Sequence, residues 1–293
     1  MDTMMRDAVI SFPMLGDLAI NPPAGFTLFG RTIYYYGVIT ALAVLLAVIF
    51  AAKRAPRFGL TADELYELAL WILPIAIIGC RIYYVACEWD RYKDNLIDIV
   101  KIWEGGIGMY GGIIAGSLTA VIWCKVKKIP FGAALDNLGT SLILGQVIGR
   151  WANFINREAF GYETEIFCRM GLTKPGAQTV YVHPTFLYES LWSLLGFILL
   201  YVWINKGKRK YDGQAFIMYV GWYGAARAMI EGLRTDSLYF LGTGIRTSQL
   251  VGILSLVISV ALLIYNSKRK HPEMYVNRIK NESAAEVTTA TAE

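Results

Sequence analysis

The segment Gly149-Arg150-Trp151-Ala152-Asn153-Phe154-Ile155-Asn156-Arg157-Glu158-Ala159-Phe160-Gly161 sets two arginines, two asparagines and a glutamate at the end of a long apolar run. Ionisable groups at a membrane boundary are costly to place and mark a functional site by default. Further along, Arg227 and Glu231 stand at i, i+4 and share one helix face. Arg150 and Arg227 are expected at the same depth. A guanidinium binds a phosphate through paired N–H donors, so two of them facing one cavity make a phosphate fork. Glu231 alone reads equally well as the structural partner that lets a buried arginine persist. The chemistry such a fork supports is stabilisation of negative charge growing on a phosphate ester.

The elements that must position these residues are membrane spans. Apolar residues make up 55% of the chain and charged residues 17%, with a mean hydropathy of +0.43; soluble domains carry about 25% charged residues. A span needs about 20 apolar residues. Seven runs meet or approach this: 33–52, 65–86, 105–124, 131–149, 186–205, 214–230 and 247–267. The first, third and last are free of charge, whereas Glu67 and Arg81, Asp136, Glu189 and Arg227 interrupt the others. Basic residues follow alternate spans: Lys53, Arg54 and Arg57; Lys125, Lys127 and Lys128; Lys206, Lys208, Arg209 and Lys210; Lys268, Arg269 and Lys270. Such turns are cytoplasmic. The loop 88–104 holds Glu88, Asp90, Asp94, Asp98 and Glu104 against three basic residues and suits the outer side.

The expected architecture is therefore an all-α integral membrane protein. It is a bundle of about seven helices with its N-terminus outside and a lipid-accessible cavity facing the extracytoplasmic side. Residues 1–267 form the membrane catalytic domain. Residues 268–293 form a basic cytoplasmic tail whose polar end reads as disordered. The N-terminus lacks a basic leader and reads as an extracytoplasmic arm at the interface. Under this topology Tyr36, the 150–161 segment, His183, Arg227 with Glu231, and Arg246 converge on the outer half. Asp136 falls on the cytoplasmic half, outside the cluster.

Other features carry less. Gly105 to Gly112 opens the third span; its glycines read as close helix packing, and no βαβ unit surrounds them to make a dinucleotide site. Tyr110 within them stays open to a functional role. In His183-Pro184-Thr185-Phe186-Leu187-Tyr188-Glu189, Pro184 suits a first helical turn and Glu189 the positive end of a helix dipole, a structural part. His183 titrates near neutrality and serves as a base or a loop hydrogen-bonding group. The four cysteines form no CxxC pair, and His183 and His271 are the two imidazoles, so no metal is expected. The net charge of +5 lies mostly in the cytoplasmic turns and points to anionic lipid, not nucleic acid.

The chain resembles the prolipoprotein diacylglyceryl transferase family over nearly all its length. That family's signature runs Gly-Arg-x-Gly-Asn-Phe-Ile-Asn-x-Glu-x-x-Gly, and Gly149, Arg150, Asn153, Phe154, Ile155, Asn156, Glu158 and Gly161 match it in register. Tyr36-Gly37, the His-Pro-x-x-Leu-Tyr-Glu run at 183–189 and the Arg-x-x-x-Glu of Arg227 and Glu231 are further landmarks. Two positions depart: Ala152 replaces the usual glycine, and Tyr110 stands where many relatives carry histidine. Arg157 falls at an unmatched position and is expected to tolerate lysine.

The resemblance implies a bacterial multi-pass cell-membrane enzyme without metal or cofactor. It implies transfer of the diacylglyceryl group of phosphatidylglycerol to the lipobox cysteine in the signal peptide of a prolipoprotein, at the extracytoplasmic face. Arg150, Arg227, Tyr110, Glu158 and Glu231 are the implied catalytic residues, the two glutamates holding the arginines. Tyr36, Asn153, Asn156, Gly161, His183 and Arg246 are the implied substrate contacts. A transporter or flippase would use the same arginines, but no inverted repeat is visible. An intramembrane serine protease would need a Gly-x-Ser-x-Gly, which is absent from the sequence.

Overall fold

The computed structural model describes residues 5, 7–16, 18–237, 239 and 243–290. Its helices are α1 (Tyr35–Arg54), α2 (Ala62–Cys87), α3 (Trp89–Tyr92), α4 (Met109–Lys127), α5 (Phe131–Asn156), α6 (Thr185–Asn205), α7 (Gln214–Ile230), α8 (Thr247–Ser267) and α9 (Tyr275–Ala290). Its strands are β1 (Val9–Phe12), β2 (Leu18–Ile20), β3 (Gly25–Leu28), β4 (Arg31–Tyr34), β5 (Met170–Thr173) and β6 (Val180–Val182).

Among the described residues six helices are long and apolar enough to cross a membrane: α1, α2, α4, α5, α6 and α8. The protein is a multi-pass membrane protein. The seventh expected span, α7, has 17 residues, short of the length a straight crossing uses. The expected third span starts four residues late, at Met109 in place of Gly105, because Gly105 and Gly106 hold left-handed backbone (φ +93° and +79°) that a helix cannot continue through.

The chain divides into two compact units. The first comprises residues 1–49, 138–210 and 214–271. In it Ser190 Oγ donates to Val147 O (2.9 Å) and ties α6 to α5. Trp192 and Trp222 tie α6 to α7 reciprocally: each indole N–H donates to the other residue's carbonyl, at 3.1 and 2.9 Å, with the rings 4.6 Å apart. Helix α7 meets α8 at Gly224 and Gly252, where a Cβ on Gly224 would sit 2.6 Å from the Gly252 carbonyl oxygen. This is the small-residue contact that draws membrane helices together.

The sequence reading missed the strands of this unit. An antiparallel sheet runs β2-β1-β5-β6. Ile10, Phe12, Met170, Leu172 and Val182 of the sheet pack with Phe154, Phe160 and Phe186 in one buried core. The N-terminal arm is thus a structural strand in the core that supports the end of α5. A second ribbon, β3 with β4, leads into α1.

The second unit comprises residues 50–137, 211–213 and 272–293. Helix α2 begins with a reciprocal cap: Thr61 Oγ1 accepts from Glu64 N (3.2 Å) and Glu64 Oε2 accepts from Thr61 N (2.7 Å). The charges that weakened this span on hydropathy have partners, an opposite charge for Glu67 and backbone acceptors for Arg81. Lys127 Nζ lies 2.6 Å from Glu67 Oε2. Arg81 donates to the carbonyls of Asp98, Ile99, Gly105 and Gly106 at 2.6, 2.7, 2.7 and 2.9 Å. At Gly79 and Gly111, α2 and α4 approach so closely that a Cβ on either would strike the other's carbonyl oxygen. The expected packing role of the glycines is what the structure shows at Gly111. Asp136 is fully buried and accepts from Gly213 N (2.9 Å), a cap supplied to a residue 77 positions away and not to a neighbour in sequence.

The tail departs from expectation. Residues 275–290 form α9, where the sequence reads as disordered. Asp212 Oδ2 accepts from Tyr275 N (2.8 Å), and Val276 is buried beside Gly59. A cap and an apolar anchor, both supplied from distant parts of the chain, overcome a weak local propensity.

Candidate active site

Helix α5 carries Arg150, Asn153 and Asn156 at one end, and the chain then reverses. Arg157 and Ala159 take left-handed backbone (φ +50° and +55°), an uncommon state for residues with side chains. The reversal brings Glu158 back over the helix end, where its N–H donates to Asn153 O (3.1 Å). Its carboxylate accepts from Asn153 Nδ2 (2.8 Å) and Asn156 Nδ2 (3.3 Å). Glu158 therefore orients the two signature asparagines, where the resemblance implied that it holds an arginine. Both carboxylate oxygens point to amide donors, which fixes how Asn153 and Asn156 present their carbonyls. Tyr36, at the first turn of α1, lies within the field of Glu158 and Arg150.

The arginine partner is Glu189. It is buried, with a side chain 5% exposed, and forms an ion pair with Arg150 Nη2. Its other oxygen lies 3.6 Å from Arg227 Nη1 and 3.5 Å from Arg234 Nη1. The expected dipole role is secondary to this: Glu189 lies in the second turn of α6, past the orphan amides. Glu231 Oε2 lies 2.6 Å from Arg227 Nη2 in an ion pair, and Glu231 Oε1 accepts from Ser237 Oγ (2.9 Å). The i, i+4 pairing read from the sequence is present.

Sequence reasoning missed Arg234 and Asp236. Arg234 Nε and Nη2 donate to the two Asp236 oxygens at 2.9 and 2.8 Å, a bidentate pair. Burial pushes the Arg234 guanidinium toward the neutral form, but Asp236, Glu189 and Glu231 outweigh it and fix the positive charge. Burial likewise pushes the Asp236 carboxyl up, and the Arg234 bonds outweigh that and hold it below its ordinary range. The available signal was the run Glu231-Gly232-Leu233-Arg234-Thr235-Asp236 directly after an apolar helix. Three arginines (150, 227, 234) and three carboxylates (189, 231, 236) thus form one balanced cluster. Arg150 has its most open arginine side chain, 20% exposed against 12% and 13% for Arg227 and Arg234.

Gly161 is a crossing point. Its N–H donates to His183 O (2.9 Å), and a Cβ there would sit 2.6 Å from His183 Cβ and 2.8 Å from Leu233 O. The structure gives this position a packing reason for glycine. His183 Nδ1 lies 3.3 Å from the Tyr188 hydroxyl, and burial lowers its imidazole below the ordinary range, so it is neutral at pH 7. Arg246 donates to Glu231 O and to Tyr162 OH (2.9 Å), stacking over the Tyr162 ring. It straps the segments that carry the cluster. Tyr110 belongs to the second unit, in the first turn of α4, with its ring 6.2 Å from that of Tyr83.

The unmatched Arg157 is a correction. It is 2% exposed. Its guanidinium donates to Ala8 O (2.7 Å), and to Ile155 O, Asn21 Oδ1 and Pro22 O at 2.8 Å each. It bolts the N-terminal arm to the signature segment. Lysine, with three donors and no planar fork, cannot replace that set.

Fold and site together define a multi-pass membrane protein built around a buried, charge-balanced arginine cluster at the ends of its helices. A family model described as prolipoprotein diacylglyceryl transferase matches residues 23–265. The chain is 43% identical over 261 residues to the phosphatidylglycerol–prolipoprotein diacylglyceryl transferase of Listeria welshimeri, covering 87% of this chain and 93% of that protein. It is 42% identical over 262 residues to the protein of the same name from Streptococcus equi subsp. zooepidemicus, covering 87% and 99%. The chain belongs to the prolipoprotein diacylglyceryl transferase family.

Proposed function

We propose that this protein transfers the diacylglyceryl group of phosphatidylglycerol to the lipobox cysteine of prolipoproteins, the first step of lipoprotein maturation. The observation that carries the reading is the arginine cluster gathered on Glu189, in a chain of this family. The cysteine thiolate attacks the glyceryl carbon bonded to the phosphate oxygen. A carbon–sulfur bond forms, the carbon–oxygen bond breaks, and its electron pair leaves on sn-glycerol-1-phosphate. Charge grows on the departing phosphate, and Arg150 and Arg227 stabilise it. The same guanidinium groups favour thiolate over thiol. Asn153 and Asn156, oriented by Glu158, bind head-group hydroxyls or phosphate oxygens, with Tyr36 beside them. His183 and Arg246 border the bound head group.

The topology that goes with this reading has seven crossings, the seventh supplied by α7 with its flanking residues. The N-terminus and the active site lie on the extracytoplasmic side, and phosphatidylglycerol enters sideways from the bilayer. The test is incubation of purified protein with phosphatidylglycerol and a lipobox-containing prolipoprotein, without added metal or nucleotide. Mass spectrometry is expected to show a diacylglyceryl gain on the acceptor cysteine with release of glycerol phosphate. No mass gain and no released glycerol phosphate would refute it.

A further inference from the structure

The β3–β4 hairpin contributes no residue to the arginine cluster and has a surface of its own. Its turn is Phe29-Gly30, with both residues left-handed (φ +49° and +75°). Two-residue hairpins favour this geometry and fill it with asparagine, aspartate or glycine. Phenylalanine is a costly choice there, and water offers it no return, since Phe29 is 96% exposed. Leu28 and Phe26 on the same ribbon are exposed too.

This apolar surface does not end at the hairpin. Strand β4 runs directly into α1, Tyr35 N donates to Ala24 O (2.9 Å), and the Phe26 ring lies 5.6 Å from that of Tyr35. Exposed apolar side chains then continue along the spanning helix through Val38, Leu42 and Leu45. Arg31 is the single charged residue between Asp17 and Lys53. It is exposed and pairs with Leu28 across the hairpin.

We propose that the β3–β4 hairpin is an interfacial anchor: Phe29 enters the acyl boundary of the leaflet in which α1 begins, and Arg31 contacts the phosphate of an anionic phospholipid there. A two-stranded ribbon has open edges whose N–H and C=O groups cannot enter hydrocarbon. Only the tip side chain therefore goes in, and the strands stay at head-group level. The consecutive Tyr34, Tyr35 and Tyr36 fit that level, where aromatic side chains gather. The occupant is phospholipid because the surface is continuous with the lipid-facing side of α1, and the lone charge on it is positive. The proposal rests on α1 being a spanning helix, and the test separates the two.

The photo-reactive residue p-benzoylphenylalanine is placed at Phe29 or, separately, at Leu45 in the full chain. Each protein is reconstituted in mixed phosphatidylglycerol and phosphatidylcholine vesicles and irradiated, and adducts are identified by mass. Phospholipid adducts are expected at both positions. Arg31→Gln should lower the phosphatidylglycerol preference at Phe29 about fivefold and leave that at Leu45 unchanged. An adduct at Leu45 with none at Phe29, or a cross-link from Phe29 to a second copy, overturns the anchor and leaves the spanning helix standing. No adduct at either position overturns the spanning reading with it. An adduct at Phe29 whose lipid preference ignores Arg31→Gln overturns the phosphate contact.

Discussion

Glu189→Gln removes one charge from the cluster and keeps its shape. The six groups Arg150, Arg227, Arg234, Glu189, Glu231 and Asp236 sum to zero, three positive against three negative, and the variant leaves three against two, a net charge of +1. Screening by water is slight, with Glu189 5% exposed and its partners Arg227 and Arg234 12% and 13% exposed. Breaking a buried pair from one side costs about 3–5 kcal/mol. Glutamine can still accept one hydrogen bond, from Arg150, which sets the expected loss at the lower end. That is a sizeable part of the roughly 5–15 kcal/mol that holds a domain folded, so the thermal midpoint in detergent should fall clearly. Below that midpoint, Arg150 and Arg227 lose the carboxylate that aims both. Loss of one aimed charge-stabilising group costs about 10²–10³ in turnover, and the same is expected on phosphatidylglycerol and a lipobox peptide. Glu189→Asp, which keeps the charge one methylene back, should recover stability more than turnover. A glutamine variant with the parent's midpoint and the parent's turnover would refute the idea that Glu189 organises the site.

Arg150→Lys should leave the protein folded and lower turnover about 10²-fold, whereas Arg157→Lys should lower the thermal midpoint by the equivalent of about 2–4 kcal/mol; a tolerant Arg157→Lys would contradict the bonding around it. Tyr110→Phe should cost about 1 kcal/mol in transition-state stabilisation if its hydroxyl donates to substrate, and parent-like turnover would discard that role, while an active Tyr110→His would show that the two side chains are equivalent there. His183 has its imidazole lowered by burial, so the unfolded chain binds its proton first; stability is full above pH about 6.5 and declines as pH falls through that value. His183→Gln should flatten this part of the midpoint-against-pH curve, and an unchanged slope would assign it to other groups.

Much of the site was legible because its residues are expensive. Arg150, Arg227 and Glu231 interrupt apolar sequence, and a membrane leaves few reasons to keep such groups. Glu189 was visible as a charge near a helix start, but its three partners come from two other segments, α5 and the end of α7 with the turn after it, and no spacing in one dimension encodes that convergence. Arg234 and Asp236 followed the last apolar residue of a helix and passed as ordinary loop charge. Arg157 looked replaceable because its acceptors are backbone carbonyls at Ala8, Ile155 and Pro22 and the side chain of Asn21, which leave no pattern near it. The helices were legible from hydropathy, whereas β1, β5 and β6 are three or four residues long, and β1 finds β5 only across more than half the chain. Helix α9 was hidden for the same reason, since its cap is Asp212.

The reciprocal Trp192–Trp222 pair has an optical consequence. Two indoles held 4.6 Å apart and nearly parallel, at 24°, are close enough for their electronic transitions to couple, and coupled transitions in a fixed chiral arrangement give a paired positive and negative circular dichroism band. Trp192 sits one turn from Glu189 on α6, and Trp222 little more than one turn from Arg227 on α7. The band therefore reads the rotation of these two helices against each other, and with it the alignment of Glu189 on Arg227, without label or substrate. Loss of the signal in a variant marks a slipped helix pair, and an inactive variant that keeps it has lost chemistry alone.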